Sequence, residues 1–367
     1  MELREKAAKV ISVLNSTVIG HEDVAEALML GVAAKRHVLI VGPPGTGKTL
    51  LVTTLSRLLQ GKFYAVQLHR TLTPEELLGP PDINALLNGE FKRRWSSLIE
   101  ADFVLFDEIF NASSATLNAL LSLLQERAVY DPYTGQAMQA RLWTAVGTSN
   151  FVPQDEELQA LQDRFPIRTF TSYLGEKQLY HALQATWLKR PSADPIMTMD
   201  EVAALHKHAL SLLERPDVVK MYWISVVPLL LELRQKEGVQ ISDRTIVGVG
   251  PLLFAAFATL YSLEEAASSA VFKITPYFAR TPEELAVIRK KLDEMLGEAG
   301  ELAKKLEAAR EMAQKGNLEA AERLLQEIIT ADLSKIKAWF RPQAEAIIRT
   351  AKEYLQKISK AKQLLKE

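Results

Sequence analysis

An α/β fold with a parallel sheet, followed by helices alone, is what this amino-acid sequence predicts. Three observations carry it. The octapeptide Gly42-Pro43-Pro44-Gly45-Thr46-Gly47-Lys48-Thr49 fits G-x-x-x-x-G-K-[ST] and lies between an apolar run and a helical stretch. Strand-like runs alternate with helical stretches as far as about residue 170, the pattern of βαβ units. Beyond Tyr173 the strand signals fade and apolar residues recur at helical spacing.

Taken in order, residues 3–14 and 22–34 read as helices and Val38–Val41 as a buried strand. A helix follows the glycine-rich loop to about Gln60. Further strands are expected at Phe63–Leu68, Phe103–Phe106, Leu142–Gly147 and Ile167–Phe170. Two stretches interrupt the repeat. Around 78–94, Asn88-Gly89 signals a small hairpin; around 128–140, a second hairpin turns near Tyr133–Gly135. Four helices, 176–188, 200–213, 218–237 and 243–261, have the size of a lid. From Thr281 onwards Leu285, Ile288, Leu292, Leu296, Leu302, Leu306 and Ala309 fall at helical spacing. A break at Gly316-Asn317, a helix to Phe340 and a third over 343–365 suggest a three-helix bundle or coiled-coil hairpin. The expected division is a nucleotide-binding core at 1–172, a helical lid at 173–265 and a C-terminal helical domain at 266–367. The stretch from 281 reads as separable, so its deletion is expected to leave the core working.

Composition narrows the classes. The chain of 367 residues is 48% hydrophobic and 24% charged, with a formal net charge of −1. Lys and Arg number 44 against 45 Asp and Glu, which gives no global electrostatic reason to bind nucleic acid or an anionic membrane. Cysteine is absent, which excludes disulfides, thiolate metal sites and cysteine catalysis. No apolar run approaches the roughly 20 residues of a membrane span. The N-terminus reads as a charged helical start, not a signal peptide, and a cytoplasmic address is expected. From Leu333 to the end nine Lys/Arg face three Glu. A solvated face explains most of these charges, and an acidic partner is the alternative.

The octapeptide implies a bound nucleoside triphosphate. Glycines let backbone N–H groups close around phosphate oxygens at the positive end of the next helix. Lys48 is expected to reach the β- and γ-phosphates and Thr49 to offer its hydroxyl to Mg²⁺. Phe103–Phe106 runs straight into Asp107-Glu108. An Asp at the end of an adjacent strand can hold the Mg²⁺ shell, and the Glu after it can orient or deprotonate water. Asn150, after the next strand, can position water without adding charge. Alone it would be a turn residue or a helix cap.

In that order, and followed by Leu161-Gln162-Asp163-Arg164-Phe165, these motifs resemble the AAA+ ATPases. More narrowly they resemble the MoxR family and its RavA-like branch. The hairpin regions at 78–94 and 128–140, the lid at 173–262, Thr73–Gly79 and Leu117–Arg127 occupy the matching places, so the resemblance covers residues 1 to about 262. It implies ATP and Mg²⁺ as cofactors, with Thr49 and Asp107 as metal-shell residues. Val18, Ile19 and Gly20 would pack the adenine, and Gly42–Thr49 with Leu50 would cradle the phosphates. Glu108, Asn150, Arg164 and Arg244 would be the catalytic set. Arg164 would act on ATP held by the neighbouring subunit. Arg244, at the start of a lid helix capped by Ser242 or Asp243, would read the nucleotide state and link lid to core. Arg127 is balanced between facing that interface and not, and Arg168 reads as a strand-edge cation.

The resemblance further implies a ring, expected to be hexameric, that remodels or assembles a protein client, often a von Willebrand factor A domain protein. The C-terminal helices are the expected docking element and Asn88–Phe91 the pore-facing segment. A nucleic-acid motor is the alternative, with Lys92, Arg93 and Arg94 as its one basic cluster. A chelatase-type motor subunit and a nucleotide-gated scaffold are two more. The intact Asp107, Glu108 and Arg164 argue against the scaffold.

Overall fold

The computed structural model describes residues 2–131, 134–153, 155–187, 194–314, 318–332 and 341–364. Two helices, α1 (Glu2–Thr17) and α2 (Glu22–Ala34), precede β1 (Val38–Val41), α3 (Lys48–Leu58) and β2 (Phe63–Gln67). Next come α4 (Pro74–Leu78), α5 (Ile83–Leu87), β3 (Phe103–Asp107), α6 (Ser114–Glu126), β4 (Ala128–Tyr130) and β5 (Ala137–Gln139). The core ends with β6 (Thr144–Ser149), α7 (Glu156–Gln162) and β7 (Ile167–Phe170). Among the described residues every later element is helical. The order is α8 (Glu176–Trp187), α9 (Met199–Leu213), α10 (Pro216–Ser225), α11 (Val227–Lys236), α12 (Gly250–Leu260), α13 (Leu263–Ile274), α14 (Pro282–Gln314), α15 (Leu318–Ile329) and α16 (Arg341–Leu364).

Five strands form one sheet in the order β2-β3-β6-β1-β7, every pair parallel. Parallel strands covered on both faces read as unbroken apolar runs, and Val38–Val41 and Phe103–Phe106 are buried throughout. Alternate side chains go to opposite faces. Val38, Ile40, Phe103 and Leu105 join the core under α2 and α3, while Leu39, Val41, Val104 and Phe106 join the core under α6. The result is an αβα sandwich. The carboxyl ends of β1, β3 and β6, where strand order reverses, open a crevice in which such sheets hold their ligands.

Several expectations change. The strand expected at Leu142–Gly147 lies two residues later, at Thr144–Ser149. Asn88-Gly89 closes a helix and not a hairpin: Asp82 caps α5 through the amides of Asn84 and Ala85. At the other end Gly89 (φ 75) and Glu90 donate to the carbonyls of Leu86 and Ala85, a glycine C-cap. A single antiparallel bridge, Pro81 to Arg93, closes the insertion at its base. The second insertion pairs β4 with β5 as an antiparallel hairpin, and Tyr133 of its expected turn lies outside the described residues. The helix expected over 218–237 is broken at Val226, ahead of Pro228, into α10 and α11.

The expected boundary at residue 265 falls inside α13. The first turns of α14 bury Leu285, Ile288 and Leu292, and Lys291 pairs with Glu232 of α11 at 2.9 Å. The first turns of α14 therefore pack onto the lid. The helix expected to reach Phe340 ends at Ile329. The break at Gly316-Asn317 lies outside the described residues, as does most of the basic stretch before Arg341.

Candidate functional site

The glycine-rich loop leaves β1 through Gly42, whose N–H donates to the Ser149 carbonyl at 2.9 Å. A Cβ on Gly42 would sit 2.0 Å from the Thr171 hydroxyl, so only glycine fits between the ends of β6 and β7. Gly45 (φ 78) and Gly47 (φ 81) take the left-handed backbone. Gly45 has nothing within 4 Å of a Cβ position, the open cradle a phosphate requires. Gly47 starts α3, leaving the first N–H groups of that helix at the mouth of the loop. Thr46 donates to the Pro43 carbonyl at 3.2 Å and faces the Thr171 hydroxyl at 3.3 Å. Lys48 Nζ folds back onto the carbonyls of Gly42 (2.7 Å) and Pro43 (2.8 Å). Burial pushes its pKa down, and the Asp107 carboxylate opposes that shift.

One cavity of about 430 Å³ is lined by Pro44–Leu50 together with Asp107, Glu108, Thr148, Ser149 and Asn150. It brings together the phosphate loop, the acidic strand end and the amide, which lie about 40 to 100 residues apart in sequence. Thr148 is the residue sequence reasoning missed. Its hydroxyl donates to the Asp107 carboxylate and accepts the Glu108 N–H at 3.3 Å. Only its place two residues before Asn150 could have signalled it. Glu108 stands at φ 54, a costly conformation for a residue with a Cβ. There its carboxylate accepts from the Asn111 side-chain amide at 3.0 Å. Thr49 and Asp107 line the same space, a hydroxyl and a carboxylate of the oxygen type that suits Mg²⁺.

Val18 meets this loop directly. Its methyl groups lie 3.0 and 3.2 Å from where a Gly47 Cβ would be. Gly20 (φ 82) in turn abuts Leu174 and Gln178 at the start of α8. Val18, Ile19 and Gly20 thus form a partly buried wall beside the phosphate loop.

Arg164 and Arg244 are not at this cavity. Both line a second one, of about 290 Å³, together with Arg36, Arg127 and Asp163. Phe165, fully buried, anchors the segment after α7, and Arg164 Nε is buried with no hydrogen-bond partner. Arg244 follows Ser242, which caps the turn by accepting the Thr245 N–H at 3.1 Å; Asp243 instead pairs with Arg234 at 2.6 Å. A π-type turn, Thr245–Val249, comes next. Pro251 lacks an N–H, and Tyr222 donates its hydroxyl to the Ile246 carbonyl at 2.7 Å, so the regular ladder is interrupted there. The lid thus brings Arg244 to the cavity of Arg164, while Lys48 lines the other one.

Two other cations there are structural. Arg127 donates to the carbonyls of Leu142 (3.1 Å) and Lys35 (3.0 Å). Arg168, buried on edge strand β7, shares Asp163 with Arg280 and is pushed down to about 10 by burial and by Arg280. His37, on the same cavity, accepts from the Ala145 N–H at 2.9 Å and contacts the Leu124 carbonyl at 2.8 Å. Burial holds its pKa at about 3, so it is neutral.

The model of the MoxR domain in the MoxR-vWA-beta-propeller ternary systems matches residues 5–211, more than half of the chain. The chain belongs to the MoxR family of AAA+ ATPases. Chaperone MoxR1 of Mycobacterium tuberculosis is 33% identical over 195 residues, covering 52% of this chain and 51% of that protein. An uncharacterized protein of Methanocaldococcus jannaschii is 30% identical over 169 residues, covering 46% and 44% respectively. The MoxR chain thus spans about half the length of these curated relatives. A crystal structure of a candidate ATPase from Cytophaga hutchinsonii shares the fold, with a TM-score of 0.58 at 21% identity, over 79% of this chain and 94% of that one. The MoxR match takes in the phosphate loop, Asp107-Glu108, Asn150 and Arg164, while Arg244 lies beyond it.

Proposed function

We propose that this MoxR chain hydrolyses ATP, with Mg²⁺, at interfaces between copies of itself. One observation carries the reading. The residues able to hold and attack the triphosphate line one cavity, and the cations able to stabilise its transition state line another. Lys48 and the loop amides bind the phosphates. Thr49 and Asp107 would hold Mg²⁺, which would neutralise phosphate charge. Glu108 takes a proton from water and Asn150 orients that water. Val18, Ile19 and Gly20, with Leu50 beyond the loop, bound the nucleotide. Arg164 and Arg244 complete the site of the next copy, the geometry of a head-to-tail ring that closes, here read as a hexamer.

The ring's work is remodelling or assembly of a protein client, and a von Willebrand factor A domain protein is the partner class we favour. The family description names such systems. The RavA-like placement and cytoplasmic operation belong to the same reading, as does a division into core, lid and C-terminal helices near residue 172 and after α13. Among the described residues no helix is long and apolar enough to cross a membrane. The nucleic-acid reading loses the middle of its basic cluster: Arg93 is buried against Asp131, and Lys92 pairs with Glu90 at 2.6 Å.

The test is complementation. Arg164→Ala and Lys48→Ala proteins, each inactive alone, regain turnover when mixed, because mixed interfaces pair an intact loop with an intact arginine. Absence of any recovery would overturn the shared-site reading.

A further inference from the structure

Among the cations of the second cavity, those with fixed protein partners can be separated from those without. Arg127 is held by two backbone carbonyls, and Arg168 and Arg280 are held by Asp163. Arg164, Arg244 and Arg36 have no carboxylate within ion-pair distance among the described residues. Sequence reasoning assigned the first two and overlooked Arg36.

The backbone aims Arg36 deliberately. Lys35 ends α2 in the left-handed conformation (φ 50), and the Arg36 N–H donates to the Gly31 carbonyl at 2.8 Å. That cap turns the chain sharply out of the helix one residue before His37 and β1. The Arg36 guanidinium is partly buried and reaches only the neighbouring Lys35 carbonyl, at 3.4 Å, the weak limit of a hydrogen bond. Burial and the Arg244 charge both disfavour its protonated form. A half-buried guanidinium beside a second one, with no counter-charge, is costly in isolation. A polyanion entering the cavity would remove that cost.

We propose that Arg36 contacts the triphosphate of the nucleotide bound to the adjacent copy, as a third member of the trans-acting set with Arg164 and Arg244. This rests on the shared-site reading above and adds a residue to it. Three cations on separate elements, the α2 cap, the segment after α7 and the lid turn, would then converge on one triphosphate. Arg36 and Arg164 ride on the core while Arg244 rides on the lid, so all three engage the anion only when lid and core are correctly placed.

Arg36→Ala, Arg36→Lys and Arg164→Ala proteins are assayed for ATP turnover and for binding of a fluorescent ATP analogue, alone and mixed with Lys48→Ala. Arg36→Ala is expected to lower kcat by roughly 10²- to 10³-fold, in the range of a lost transition-state donor, while analogue binding stays near wild type. Arg36→Lys is expected to fall between. Equal mixing with Lys48→Ala should restore about a quarter of the competent interfaces, since loop and arginine come from different copies. Wild-type turnover in Arg36→Ala overturns the inference. So does lost turnover that mixing fails to restore while the Arg164→Ala mixture recovers, which would mark Arg36 as structural. Failure of both mixtures removes the shared-site reading and this inference together. Tripolyphosphate added to Lys48→Ala protein separates the sources: if it binds Arg36 in the absence of loop-bound nucleotide as tightly as ATP binds wild type, the cavity is a free-anion site and the proposal falls.

Discussion

Arg93 of the first insertion and Asp131 of the β4–β5 hairpin form an ion pair at 2.6 Å with both side chains almost fully buried. Arg93 also donates to the Gly79 carbonyl, and Gly79 (φ 105) packs so tightly that a Cβ would lie 2.0 Å from the Arg94 carbonyl. The two insertions of the core are therefore tied together at their bases. Breaking a buried pair from one side leaves an uncompensated charge. Arg93→Ala or Asp131→Ala is expected to destabilise the fold by about 3–5 kcal/mol. Replacing both residues with apolar ones should cost less. Thermal unfolding of the two single variants and the double variant checks this.

Glu108→Gln is expected to keep nucleotide binding and to lower turnover on the order of 10²- to 10⁴-fold, the range for loss of a positioned base. Lys48→Ala should lose binding itself. Nucleotide titration beside steady-state hydrolysis separates the two, and unchanged turnover in Glu108→Gln would refute its role as base.

Arg244→Ala should behave like Arg164→Ala, because both line one cavity remote from Lys48. Its turnover should fall while nucleotide binding persists, and mixing with Lys48→Ala should restore activity. An Arg244→Ala protein that binds ATP poorly and cannot be complemented would place this arginine at its own subunit's site.

His37 makes stability depend on pH in a defined direction. Its folded pKa of about 3 lies below the ordinary 6.5, so the unfolded chain takes up the proton first. The contribution is fully present above pH 6.5 and is lost as pH falls from there towards 3, at about 1.4 kcal/mol per unit. Between pH 7 and 5 the protein should lose ~2 kcal/mol that a His37→Asn variant does not lose. Denaturant unfolding at the two pH values measures the difference.

Truncation separates the ends of α14. A chain ending at Arg280 gives up the burial of Leu285, Ile288 and Leu292, worth roughly 1.5–3 kcal/mol per side chain. It should be markedly destabilised. A chain ending at Leu296 keeps those turns and should retain ATP turnover. Equal stability of the two would contradict the packing described here.

Sequence by itself determined the α/β class, the phosphate loop, the acidic strand end at Asp107-Glu108 and the candidate role of Arg164. These are local signals: a glycine spacing, an apolar run and the residue that ends it have the same meaning wherever the chain goes. Asn88-Gly89 shows the limit of such signals, since the same dipeptide closes a hairpin or a helix, and Asp82 capping α5 decided between them. Tertiary structure alone decided the rest. Thr148 and Arg36 carry no motif, because what they do depends on strands and helices that meet only after folding. Whether Arg93 is a surface cation or a buried partner of Asp131 turns on a contact across 38 residues. The lid brings Arg244 to Arg164 and not to Lys48. Periodicity along a helix reports which face is buried and carries no information about which distant charge that face will meet.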